Sequence, residues 1–256
     1  MIIRQKVILN KMLNLKETSI GSWITIGHPA VCEIMSSFNF DWLCFDLEHS
    51  SITYSQLYNL IPIIEKNGAV PLVRVGQNDE LEIKRALDAG AKGIVVPNIS
   101  NKEDAIKAVS FCRYQPSGTR GVGLSRAQGY GFKFEEYKKI ANKIDVFAII
   151  ENKNAIKNLK EIIETKGLSG TLIGPYDLSA SYGDPGNFNN KEFINAVKKY
   201  EKIGKSLKKP IGFHAVTNTS SDINSKIRKG YKFVAIKLDT IFLGESCDST
   251  LRKINK

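Results

Sequence analysis

Histidine, cysteine and proline are all scarce in this 256-residue chain, which has 3 His, 4 Cys and 8 Pro. The cysteines are Cys32, Cys44, Cys112 and Cys247, and no two form a C-x-x-C pair, so a zinc ribbon and a disulfide scaffold are both excluded. Buried free thiols in a reducing cytoplasm are the expectation. The chain contains no run of about 18 apolar residues, which excludes a membrane-spanning helix. Residues Met1 to Lys16 lack the apolar core and the small-residue cleavage site of a secretory signal. They alternate charge with hydrophobes and predict an amphipathic N-terminal helix. Internal repeats, low-complexity tracts and linkers are missing too.

What is present is ordinary globular composition, 42% hydrophobic and 25% charged, with 20 Gly. That argues against disorder, collagen and coiled coil. A chain of this length buries a full core without staples, so one domain over residues 1–256 is expected. The net charge of +11 raises the question of nucleic acid. The lysines, however, are spread over most predicted helices, as in Lys138-Lys139, Lys198-Lys199 and Lys208-Lys209. There is no aromatic-interleaved basic stripe and no helix-turn-helix spacing. The charge reads as solvated helix faces, with some attraction for anionic substrates, and neither nucleic acid nor membrane is expected as a partner.

Short apolar runs alternate with longer helical patterns. Strands are predicted at Ser22–Ile26, Trp42–Asp46, Ala69–Val75, Gly93–Val96, Val146–Ile150, Thr171–Ile173, Pro210–Phe213 and Phe233–Lys237. Most are continuously apolar, as parallel strands covered on both faces must be. Helices are predicted at Ala30–Phe38, Tyr54–Lys66, Glu80–Ala89, Lys102–Cys112, Lys153–Thr165, Lys191–Leu207 and Asp222–Lys229. Gly68, Gly90, Gly167 and Gly230 mark helix ends. Eight strand–helix units in this length predict an α/β fold, the (β/α)8 (TIM) barrel. An open doubly wound sheet would want a glycine-rich fingerprint after the first strand, where Ile26-Gly27-His28-Pro29 stands instead. One long connection, Arg113 to about Asn142, precedes the fifth strand. Its length suggests a functional loop.

A barrel carries its active site at the C-terminal ends of its strands. Those ends hold Asp46-Leu47-Glu48-His49, Arg74, Glu151, Gly174-Pro175-Tyr176-Asp177, His214, and Lys237 with Asp239. Glu151 and Asp177 are hard oxygen donors at adjacent strand ends. They suit Mg2+ or Mn2+, with Co2+ a further option, and such a cation would act as a Lewis acid on a 2-oxo acid. The plain alternative is that each caps its following helix. Arg74 is placed to stabilise an enolate oxygen, or else to pair with Asp46 or Glu48. His49, with Asp46 three residues earlier, reads as a general acid–base pair. His28 and His214 are further rim candidates, and Lys237 raises a Schiff base.

In this order and spacing the residues resemble the HpcH/HpaI aldolase/citrate lyase family, the metal-dependent 2-oxo-3-deoxy acid aldolases. The matching stretches are Gly21-Ser22-Trp23, Asp41-Trp42 through His49, Pro71 to Val75, Ile83 to Ile94, Gly118 to Gly123, and Ile173 to Ser179. The resemblance implies Glu151 and Asp177 as metal ligands and Arg74 as the contact to the keto oxygen of pyruvate. It implies His49 with Asp46 as the acid–base element, and the amides of Tyr176 and Asp177 as the carboxylate seat. It further implies a homo-oligomer, a hexamer of dimers that exchange their last helix. The reaction implied is cleavage or formation of a 4-hydroxy-2-oxo acid from pyruvate and an aldehyde. Arg120 and Arg126 of the long loop are assigned to the aldehyde part, with a structural role as their alternative, and His214 to the substrate side.

The chain departs from the family pattern at Ile149, where many members have Gln, at Tyr176, where a small residue is common, and at His214, where an apolar residue is common. Two other readings compete with the aldolase. One is an acyl-CoA lyase of the malyl-CoA or citramalyl-CoA type, and the other is a barrel that binds a 2-oxo acid or sugar acid without turnover.

Overall fold

The structure is a computed structural model that describes residues 17–216 and 219–254. The helix predicted over Met1–Lys16 lies outside the described residues. Eight strands follow the predicted order: β1 Ser19–Ile24, β2 Trp42–Asp46, β3 Val70–Arg74, β4 Gly93–Val96, β5 Asp145–Ile150, β6 Gly170–Ile173, β7 Ile211–Ala215 and β8 Phe233–Leu238. All neighbours are parallel, and β1 pairs with β8 to close the barrel. Continuous burial explains the apolar runs: outward side chains meet the helices, and inward ones fill the barrel.

The helices are α1 Pro29–Ser37, α2 Tyr54–Asn67, α3 Glu80–Ala89, α4 Lys102–Phe111, α5 Phe134–Ala141, α6 Lys153–Lys157, α7 Leu159–Glu164, α8 Pro175–Ser181, α9 Lys191–Leu207, α10 Ser220–Arg228 and α11 Asp239–Leu251. Their starts follow from local chemistry. Thr53 and Gln56 form a reciprocal capping box at α2, and Asp79 accepts from Leu81 and Glu82 N–H at α3. Gly68 and Gly90 end these two helices with φ of 93° and 113°, a conformation that other residues rarely adopt. The single helix predicted over Lys153–Thr165 is two, broken at Asn158, and α5, α8 and α11 were not predicted as helices.

Inside the barrel Phe233 stacks on both Trp42 and Phe147, each at 4.3 Å between ring centres. Gly21 makes room for this layer, since a Cβ there would lie 2.0 Å from the Trp42 ring. The floor also holds a charge. Asp145 opens β5, 1% exposed, and burial pushes its carboxyl up to about 6 from an ordinary 3.8. A carboxyl raised by folding keeps its proton in the native state. Its stability contribution is therefore full below the ordinary value and is lost as pH rises through about 6. Asp145→Asn is expected to stabilise the fold at pH 8 by about 1–3 kcal/mol and to change little at pH 4, read by thermal unfolding at both pH values.

The cysteines are free, as expected. Cys32, Cys44 and Cys112 are buried, but Cys247 on α11 is exposed, against the expectation. Among the described residues no helix is long and apolar enough to cross a membrane.

Candidate active site

Register builds the heart of the site. Asp46 and Arg74 end β2 and β3 as directly paired residues, so their side chains emerge side by side. Arg74 Nε donates to Asp46 Oδ1 at 2.8 Å, and Nη2 donates to Oδ2 at 2.5 Å. Burial alone would raise the Asp46 carboxyl, but the Arg74 hydrogen bonds and charge outweigh it and hold the carboxyl below its ordinary value. The backbone N–H groups of Glu48 and His49 also donate to Asp46 Oδ1. Arg74 is further fixed by the Trp23 ring, 4.6 Å below its guanidinium carbon.

This corrects the pairing expected for His49. Asp46 spends both oxygens on Arg74 and on backbone, and its contact with His49 is to the main chain, not the ring. The imidazole is 62% exposed at the edge of the site, with Nε2 3.7 Å from Glu48 Oε2. Glu48 also lies 3.3 Å from Arg74 Nη1, and its Oε2 accepts no hydrogen bond. Burial raises the Glu48 carboxyl, with Arg74 and His49 pulling the other way.

Glu151 follows β5 beside Gly174, which follows β6. A Cβ at Gly174 would lie 3.2 Å from Glu151 Oε2, so glycine here leaves the carboxylate room that any other residue would tighten. Glu151 Oε1 accepts from the Asn98 N–H at 2.5 Å, and Asn98 takes an unusual φ of 57° after β4. Burial pushes the Glu151 carboxyl up to about 7, and the negative charges of Glu48 and Asp177 add to it.

Together Trp23, His49, Arg74, Glu151, Asp177 and His214 line one cavity of about 310 Å³ at the C-terminal mouth, with Ile149 and Tyr176 also in its wall. His214 packs on Trp23 with ring centres 5.4 Å apart, and burial lowers it to about 4, so it is neutral near pH 7. Its Nε2 is 3.2 Å from the Lys237 carbonyl, an acceptor only, which puts the ring proton on Nε2. Among the described residues no group of three His, Cys, Asp or Glu forms a ready-made metal cage. The donor set nevertheless fits a hard cation. The negative charge of Asp177 raises the carboxyls of both Glu48 and Glu151, and such a cluster of oxygen donors at the strand ends suits a hard cation.

Other rim candidates do not converge. Lys237 has φ of 47° and its ammonium pairs with Glu245 of α11, away from the cavity. Asp239 clamps the end of β1, accepting from Thr25 and Ile26 N–H at 2.8 Å each. His28 caps α1 through Nδ1.

Arg120 and Arg126 are at the wrong end of the barrel for a substrate in the same chain, a second correction. Arg120 has no exposed side-chain surface and pairs with Asp88 at 2.8 Å and with Tyr137 Oη at 2.9 Å. Arg126 bonds the Ala89 carbonyl and Glu65. Asp88, Ala89 and Glu65 all sit at C-terminal ends of helices, beside the N-terminal ends of the strands. The long connection joins a helix to a strand, and such connections run on the N-terminal face. It also contains a 3-10 turn, Arg126–Gly131, and α5.

The family model for HpcH/HpaI aldolase/citrate lyase matches residues 19–244. The chain belongs to this family. It is 33% identical over 242 residues to the 2-dehydro-3,6-dideoxy-6-sulfogluconate aldolase of Pseudomonas putida, covering 94% of each chain. It is 34% identical to the 2-keto-3-deoxy-L-rhamnonate aldolase of a Salmonella dublin strain, covering 92% of this chain and 88% of that one. A family member from Burkholderia cenocepacia superposes with a TM-score of 0.91 at 26% identity, covering 96% and 98%. The protein is therefore a carbon–carbon lyase of aldolase type built on a (β/α)8 barrel.

Proposed function

We propose that the protein is a divalent-metal-dependent aldolase that cleaves or forms a 4-hydroxy-2-oxo acid, with pyruvate and an aldehyde as the small-molecule partners. The observation that supports this is one cavity lined by the clamped Arg74, the carboxylates Glu151 and Asp177 and the exposed imidazole of His49. Glu151 and Asp177 would hold Mg2+ or Mn2+, or Co2+, which when bound supplies Lewis-acid neutralisation of the keto and carboxylate oxygens of the 2-oxo acid.

The chain's own residues account for the rest. Arg74, fixed in direction by Asp46, donates to the keto oxygen and strengthens as that oxygen gains enolate charge. Asp46 is thus a positioning residue for Arg74. His49 takes the proton from the C4 hydroxyl, the C3–C4 bond breaks, the aldehyde leaves, and a proton returned to C3 completes pyruvate. Glu48, 3.7 Å away, stabilises the imidazolium formed between these steps. The N–H groups of Tyr176 and Asp177, in a first turn that no side chain caps, receive the substrate carboxylate. His214, neutral, faces the substrate side.

The test is pyruvate release from a panel of 4-hydroxy-2-oxo acids, read through lactate dehydrogenase. Release lost in EDTA and restored by Mn2+ or Mg2+ is expected. Release that survives EDTA and is trapped by borohydride would overturn the reading in favour of a lysine Schiff base.

A homo-oligomer, a hexamer of helix-exchanging dimers, belongs to the same proposal. Along α11 only Asp239 is buried, while Leu243 and Leu251 are about 60% exposed. A last helix so poorly covered by its own barrel, with two exposed leucines, is ready to pack on another copy. Light scattering is expected to give a multiple of the chain mass, and Leu243→Glu with Leu251→Glu to lower it. A wild-type monomer would sink this part.

A further inference from the structure

The His214 ring is held by backbone that has been bent to reach it. β1 and β8 keep register up to Gly21 opposite Ala235, but Trp23 stands opposite Leu238, so β8 carries one extra residue at the mouth. Lys237 absorbs it with φ of 47°, a left-handed conformation that a residue with a Cβ rarely adopts. The Ser22 hydroxyl donates to the Ile236 carbonyl at 2.7 Å and pins this bulge. Bulges beside active sites re-aim a group. Here the group is the Lys237 carbonyl, which accepts from His214 Nε2 at 3.2 Å.

The imidazole fixed in this way leans on Trp23, with 49° between the ring planes. Trp23 is 2% exposed, and its ring in turn lies against the Arg74 guanidinium. Four groups therefore run in contact from the strained backbone to the cation: carbonyl, imidazole, indole and guanidinium. The Asp46 fork sets the direction of Arg74, but two hydrogen bonds to one carboxylate resist tilting of the guanidinium plane only weakly. The indole supplies that resistance. No hydrogen bond holds the indole, because Trp23 Nε1 is buried without a partner, so packing alone orients it. A neutral ring suits the packing role. An imidazolium would repel Arg74 and compete for the same indole, and burial keeps His214 uncharged near pH 7.

We propose that His214 is a positioning residue for Arg74, acting through Trp23 to hold the guanidinium plane towards the reacting oxygen. The inference rests on the aldolase reading for what Arg74 does, but the coupling of the two residues is measurable without turnover.

Two measurements decide it. The first is pyruvate release. His214→Ala is expected to lower kcat about tenfold while changing KM less than about twofold, because a tilted donor is felt most as charge develops. His214→Phe keeps a ring against Trp23 but no ring nitrogen, and is expected to return kcat to within about threefold of wild type. In a Trp23→Leu background, His214→Ala should cost little more. The second is thermal unfolding. His214→Ala combined with Arg74→Met is expected to lower the midpoint by about 2–4 °C less than the two single changes added together. If no acid is cleaved and the midpoints still couple, the stack stands and only the aldolase reading fails. Additive midpoints, or a Phe variant as slow as the Ala variant, as a substrate ligand or proton carrier would give, would overturn the proposal.

Discussion

Arg74→Lys is expected to lower kcat for pyruvate release by about 10²–10³-fold, the range seen when one preorganised donor to a developing oxyanion is removed. The charge survives this substitution, but the geometry does not. The native side chain uses Nε and Nη2 on the two Asp46 oxygens, a planar fork that an ammonium cannot reproduce. Lysine would either pair with Asp46 or reach the substrate, not both. Asp46→Asn probes the same clamp from the other side. It leaves Arg74 in place with a weaker partner, so kcat is expected to fall less than in Arg74→Lys while KM changes little. Unfolding midpoints separate catalytic from structural loss, because breaking a buried ion pair costs about 3–5 kcal/mol. A variant that keeps both its midpoint and its rate would remove Arg74 from the mechanism.

The Arg74–Asp46 pair also shows what could be read from the sequence. Strand order and the C-terminal rim were legible because continuous apolar runs end in ionisable residues. Both residues were placed at the mouth on that basis. Pairing of Arg74 with Asp46 or Glu48 was read as the alternative to its enolate role, but the choice of partner for Asp46 depends on register: Asp46 sits opposite Arg74, and His49 is one loop turn further out. The pairing of Asp46 with His49 assumed that residues near in sequence meet through their side chains, whereas the contact made is to the His49 amide. Glu48 was placed at the rim and read as a possible partner of Arg74, but its approach to the His49 ring was not foreseen. Asn98 carried no signal, since it acts through its backbone N–H at a positive φ. The assignment of Arg120 and Arg126 to substrate followed loop length and overlooked direction. A segment between a helix and the next strand must return along the N-terminal face, which alone removes it from the rim. Trp23 was legible only as part of the Gly21-Ser22-Trp23 stretch, and its place under Arg74 came from the structure, where it shares a face of β1 with Ser19 and Gly21.

Glu151→Gln is expected to move activity and stability in opposite directions. Loss of one of the two proposed cation ligands should cut pyruvate release by at least about 10²-fold. The same substitution should stabilise the chain in EDTA at pH 8, by about 1–3 kcal/mol. The reason is the carboxyl's position. Burial, aided by Glu48 and Asp177, pushes Glu151 to about 7 from an ordinary 4.5. Folding thus favours its protonated form, and the native state loses stability as pH rises through about 7. Glutamine keeps the acceptor oxygen for Asn98 and removes the charge, so the loss disappears. At pH 4, where both states hold the proton, the midpoints of wild type and variant should converge. Mn2+ supplies the complementary reading. At about a hundred times its dissociation constant it should stabilise wild type by about 2.7 kcal/mol and the variant far less. Equal midpoints for the two proteins in EDTA at pH 8 would mean that Glu151 carries no stored electrostatic cost, and with it would go the physical argument that this carboxylate is held for a cation.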